Sequence, residues 1–162
     1  MKNQEQQKSA WSASRYAWIC AIGIMAVMVL LELLFSLSKG YENRGVRLLN
    51  LVFIMVAFMI MVFRYSKNRS YTVHYMEAFK LALRAGVYLL ILFFPLLALL
   101  LQIDPSELVK LKLHAPFGNQ LSDLAIMGTL LIEMPAFILI SALVSAPISA
   151  FAKRNKGELE NR

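Results

Sequence analysis

Two acidic residues, Glu32 and Glu133, lie inside long apolar runs of this sequence, in the segments LLELLF and LLIEMPAF. A charged carboxylate near the centre of a bilayer costs about 2.5 to 3.5 kcal/mol, so such residues are rare and usually have a partner. Arg47 and Asn50 begin the apolar run that follows Glu32. At ~1.5 Å of rise per residue along each helix, all four residues can lie in the outer half of the membrane. We therefore treat Glu32, Arg47, Asn50 and Glu133 as a candidate intramembrane polar cluster.

Two interpretations of this cluster stay open. In the first, each carboxylate is protonated or paired with Arg47 and holds the helices together, or Glu32 extends toward the membrane surface. In the second, the two acids face a crevice, and one of them binds a proton, a cation or the basic group of a partner subunit.

The sequence offers no arrangement of residues that is typical of an enzyme. Cys20 is the single cysteine, which excludes an intramolecular disulfide and a cysteine-based metal site. No histidine lies close in sequence to a serine or cysteine of the apolar runs, so no nucleophile has a base. His74 and His114 are far apart and are expected in solvated loops. We expect no catalytic residues, no metal site and no cofactor.

Four apolar runs are each long enough to cross the hydrocarbon of a bilayer, which requires about 20 residues. The predicted spans are 17–37, 46–65, 81–102 and 124–151. They predict an all-α polytopic membrane protein with one four-helix transmembrane domain over residues 16–151. Proline interrupts backbone hydrogen bonding, so kinks are expected at Pro95 and Pro135. Polar tails are predicted at residues 1–15, without stable structure, and at 152–162.

The 17 basic residues flank the apolar runs and do not form a stripe with exposed aromatic residues, which argues against nucleic-acid binding. Twelve of them fall on one side of the predicted topology and five on the other, so the positive-inside rule places both termini in the cytoplasm. Lys80 and Arg84 share one helical face with Glu77 and predict a basic face in the membrane interface.

The region from Arg64 to Leu108 resembles domain of unknown function 4199, a family of small bacterial membrane proteins with about four spans. The resemblance rests on the basic connector at 64–74, the Glu77-Ala78-Phe79 helix entry, Gly86, and Ile103-Asp104-Pro105 at the exit. It implies a bacterial inner-membrane location and brings no activity.

Short loops, small-residue helix faces and missing catalytic motifs favour a noncatalytic accessory, assembly or interaction subunit of a membrane complex. Its partners would be the lipid bilayer and other membrane subunits or further copies of itself. The alternative is a small oligomeric transporter or channel for protons or cations that uses the intramembrane glutamates.

Overall fold

The computed structural model describes residues 2–37, 45–69, 73–103 and 122–151. Its helices are α1 (Lys2–Leu37), α2 (Gly45–Lys67), α3 (Tyr75–Ile103) and α4 (Asp123–Ser145). Within these ranges the only regular secondary structure is helical. The predicted all-α fold is therefore confirmed.

Four helical segments are long and apolar enough to cross a membrane, namely Ala13–Leu31, Leu49–Lys67, Tyr75–Ile103 and Leu131–Phe151. Their outward side chains are large and apolar, and Ile132 is 74% exposed. Apolar surface on this scale would be unfavourable in water but suits contact with lipid. The chain is an integral membrane protein.

The four helices form a bundle in which α1 and α4 lie on opposite sides of the α2–α3 pair. Both α1 and α4 pack against α2 and α3, and α2 also contacts α3. Cys20 lies beside Ala57, whereas Tyr16 packs against Tyr65, so α1 and α2 run antiparallel. Tyr16 and Ile148 line a common groove with the end of α2. The first span therefore begins, and the fourth ends, at the same end of the bundle, which we call the basic end.

Small side chains allow the helices to approach closely. Ala17 and Ala21 of α1 and Ala82 and Ala85 of α3 are completely buried. In lipid, where apolar side chains gain little from avoiding solvent, such close packing supplies much of the attraction between helices.

The fourth helix also turns its small residues into the bundle. Ser141, Ala142, Ser145 and Ala146 are completely buried, whereas Ala136 is exposed. This small-residue face was one reason to expect contact with a partner subunit. In the fold it packs inside the bundle instead.

Helix α1 begins at Lys2 and not at residue 17, so the segment 2–15 is helical. The expectation of a tail without stable structure was wrong for these residues. The segment KNQEQQKSA is too polar to fold alone, but Lys, Gln, Glu and Ala are good helix formers. A helix that already exists in the membrane needs no new nucleation to extend into it.

The prolines have different positions in the helices. Pro95 and Pro135 lie inside α3 and α4, and the bends expected there stay predictions. The regular part of α4 ends at Ser145, and a turn containing Pro147 separates it from a last helical stretch, 148–151. Proline lacks the N–H that a continuous helix would require at this position. The apolar spanning segment itself ends at Phe151, the predicted limit.

Candidate functional site

A network of polar residues joins the end of α2 to the start of α3 at the basic end. The Tyr65 hydroxyl donates to the Glu77 carboxylate at 3.0 Å and accepts from the Arg69 guanidinium at 2.9 Å. The same guanidinium lies 4.6 Å from the centre of the Tyr65 ring, within the range of a cation–π interaction. We call Tyr65, Arg69 and Glu77 the tyrosine clasp.

Local sequence explains the clasp. Tyr65 and Arg69 are four residues apart at the end of α2, so they lie on one side of the chain as it leaves the helix. Glu77 lies in the first turn of α3, where a carboxylate also favours the positive end of the helix dipole. Tyr65 is only 2% exposed, and each of the three residues makes further interactions. The clasp therefore fixes the connection between the two helices.

Aromatic residues attach α1 to this end of the bundle. The Tyr16 ring packs edge-on against Tyr65 with 5.6 Å between centroids, and the Asn68 amide donates to the Tyr16 hydroxyl. Further along α1, Trp18 stacks on Tyr88 of α3 at 4.4 Å, and the Tyr88 hydroxyl is 2.9 Å from that of Ser14. Aromatic rings with one polar edge are suited to this boundary between lipid and water.

An open groove of about 640 Å³ lies beside the clasp. One wall is the outer face of α2, and the groove is completed by α1 and by the helical stretch after α4. The lining residues are Tyr16, Met59, Ile60, Phe63, Arg64, Lys67, Asn68 and Ile148.

Charge and apolar surface are separated within the groove. Arg64 and Lys67 lie in the last turn of α2 and are exposed, whereas Met59, Ile60 and Phe63 lie deeper along the same helix. The described lining contains no acidic residue. The groove can therefore attract an anion at its outer end and an apolar chain further in.

Four of the predicted site residues, Asn50, Lys80, Arg84 and Glu133, are absent from the described lining of this groove. Lys80 and Arg84 are exposed on α3, and Asn50 and Glu133 are half-buried on α2 and α4. Glu133 makes at least one polar or electrostatic interaction. The side chains of Glu32 and Arg47 lie outside the described part of the chain, so the four-residue intramembrane cluster stays a prediction.

The sequence pattern does not predict the tyrosine clasp. It places Glu77 on the basic face beside Lys80, whereas the Glu77 carboxylate accepts a hydrogen bond from Tyr65. A signal was present, because Tyr65 and Arg69 have helical spacing and the connector to Glu77 is short. What the sequence lacked was the direction in which Tyr65 points, which depends on how α1 packs.

The described residues contain no group of three or more His, Cys, Asp and Glu side chains that could hold a metal ion. Comparison with known proteins found no matching family model, no matching curated protein and no matching solved structure. The resemblance to domain of unknown function 4199 therefore stays a hypothesis.

Proposed function

We propose that the protein is a noncatalytic accessory or interaction subunit of a membrane complex. The observation that carries this proposal is how the polar residues at the basic end are used. Arg69 and Glu77 both bond to the Tyr65 hydroxyl, and Asn68 bonds to Tyr16, so these residues connect helices. A network that positions helices supports a scaffold more than a reaction centre, which would require a nucleophile beside its base.

The surface available to a partner is the outer face of α1. Ile19 and Ile22 are 71% and 56% exposed, and a Cβ atom added at Gly23 would meet nothing within 4 Å. A partner helix can approach closely where a glycine interrupts large side chains. The resemblance to domain of unknown function 4199 implies the bacterial inner membrane, and the distribution of basic residues favours both termini in the cytoplasm.

Photocrosslinking in cells tests this proposal. A photoreactive amino acid at Ile22 is expected to capture one defined membrane protein, while the same residue at Leu83, exposed on α3, serves as the control for random contact. If neither Ile22 nor Ile140 of the α4 outer face captures a protein, the subunit proposal is wrong.

A second proposal, movement of protons or cations, rests on Glu133. This carboxylate is half-buried and lies near the beginning of the apolar segment Leu131–Phe151. Acids at such positions are frequent in proton and ion pathways. Its test is a comparison of Glu133 variants in liposomes.

A further inference from the structure

We propose that the groove at the basic end is a binding site for one anionic phospholipid. In this arrangement the phosphate group lies against Arg64 and Lys67, and the first part of an acyl chain lies along Ile60 and Phe63. This assignment concerns the lipid ligand of the protein and does not depend on the subunit function proposed above.

The charge of the groove supports an anionic headgroup. Arg64 and Lys67 are three residues apart in the last turn of α2, so their side chains lie on one helical face. Both are exposed, and the described groove lining contains no carboxylate to neutralise them. Basic pockets between transmembrane helices have the chemistry that binds anionic lipid headgroups.

Tyr16 and Asn68 add polar groups at the same level. The Asn68 amide donates to the Tyr16 hydroxyl, which leaves the proton of that hydroxyl available for another acceptor. A phosphate oxygen is such an acceptor. Two cations and a hydroxyl donor therefore surround the outer part of the groove.

The depth of the groove distinguishes a lipid from a soluble anion. From Met59 to Lys67 the lining extends about 12 Å along α2 at ~1.5 Å per residue. The inner part along α2 is made of Met59, Ile60 and Phe63, all of them apolar, and Ile148 adds a further apolar side chain to the lining. A soluble phosphate would use only the outer end, whereas a phospholipid would contact both parts.

Native mass spectrometry of the purified full-length chain in detergent tests the proposal. The protein is titrated with phosphatidylglycerol or with phosphatidylcholine that carries the same acyl chains. We expect one phosphatidylglycerol to remain bound at concentrations that leave phosphatidylcholine unbound. The double variant R64Q/K67Q is expected to lose about 30-fold in phosphatidylglycerol affinity, because each basic residue near a membrane surface contributes roughly fivefold.

The chain supplies a control with the same loss of charge. Lys80 and Arg84 are also exposed cations, on α3 and outside the described groove lining, so K80Q/R84Q is expected to keep its affinity within about twofold. Equal loss in the two double variants would mean general attraction to positive charge and would overturn the site.

Two further measurements complete the test. Glycerol phosphate, which has no acyl chain, is expected not to compete, and competition at the lipid's own concentration would overturn the phospholipid assignment. If R64Q/K67Q is not monodisperse, the single variants R64Q and K67Q replace it. Each is then expected to lose about fivefold, and unchanged affinity in both would contradict the proposal.

Discussion

Gly86 of α3 and Ile138 of α4 pack so closely that no larger residue fits at the glycine. A Cβ atom added to Gly86 would lie 2.1 Å from Cγ2 of Ile138, and 3.2 Å from its Cβ. Both residues are buried, so the contact lies in the core of the bundle. The glycine therefore determines how closely α3 and α4 approach.

Replacing Gly86 with alanine is expected to destabilise the bundle by about 1 to 3 kcal/mol, because the new methyl group would overlap Ile138. The measurement is loss of helical circular dichroism during titration of the detergent-solubilised protein with sodium dodecyl sulfate. Gly23→Ala and Gly128→Ala are matched controls, since a Cβ at either position meets nothing within 4 Å. Both should be neutral or slightly stabilising. Equal destabilisation by all three substitutions would contradict this contact.

A second substitution tests the identity of the opposing residue. Ile138→Ala removes the Cγ2 atom, so the double variant G86A/I138A should be more stable than the sum of the two single effects predicts. We expect a coupling of at least about 1 kcal/mol. If the two single effects simply add, the methyl group at position 86 does not overlap Ile138.

Tyr65→Phe keeps the buried ring but removes the hydroxyl that lies between Arg69 and Glu77. The expected loss is about 1 kcal/mol of unfolding free energy, the usual net value of such hydrogen bonds. The control is Tyr75→Phe, because Tyr75 is 43% exposed and stacks its ring on Phe79. The same denaturant titration should leave this control unchanged, and a neutral Tyr65→Phe would show that the hydrogen bonds of the Tyr65 hydroxyl contribute no stability.

The topology prediction can be tested by cysteine labelling in intact cells. In a Cys20→Ser background, cysteines at Asn43 and Asn119, between α1 and α2 and between α3 and α4, should react with an impermeant thiol reagent. A cysteine at Asn155, after α4, should not react. This pattern follows from the excess of basic residues on the side assigned to the cytoplasm. The reverse labelling pattern would show that the termini lie outside the cytoplasm and that the predicted topology is wrong.

Glu133→Gln separates the two proposed functions. Glutamine keeps the shape and hydrogen-bonding capacity of the side chain but removes its charge. If Glu133 only connects helices, assembly should be nearly unchanged, since interhelical hydrogen bonds in membranes average about 0.6 kcal/mol. If the ionised form moves protons, the proton flux into liposomes that contain a pH-sensitive dye should fall to background. Background proton flux already in the wild type would exclude proton transport by this chain alone.

Sequence periodicity and length were sufficient for the helical, four-span architecture, because lipid requires long apolar helices. Periodicity and length did not predict which side chains contact one another. Ser141 and Ala142 belong to a small-residue face that suits either a partner or the bundle interior, and only packing against α2 and α3 decides this. Glu77 was similarly ambiguous, since a helical wheel places it beside Lys80, while the fold brings Tyr65 to it from another helix. Segment 2–15 was misjudged because low hydrophobicity excludes a core but not a helix.

The placement of α4 across the bundle from α1 implies an order of assembly during synthesis. When α3 has been inserted, α1, α2 and α3 can already make their mutual contacts, including the stacking of Trp18 on Tyr88. The side of α3 that carries Gly86 must meanwhile face lipid until Ile138 arrives with the last helix. The first three helices then form the surface on which the fourth helix packs. Co-expression of residues 1–110 and 111–162 as two separate chains should therefore restore the four-helix bundle by fragment complementation.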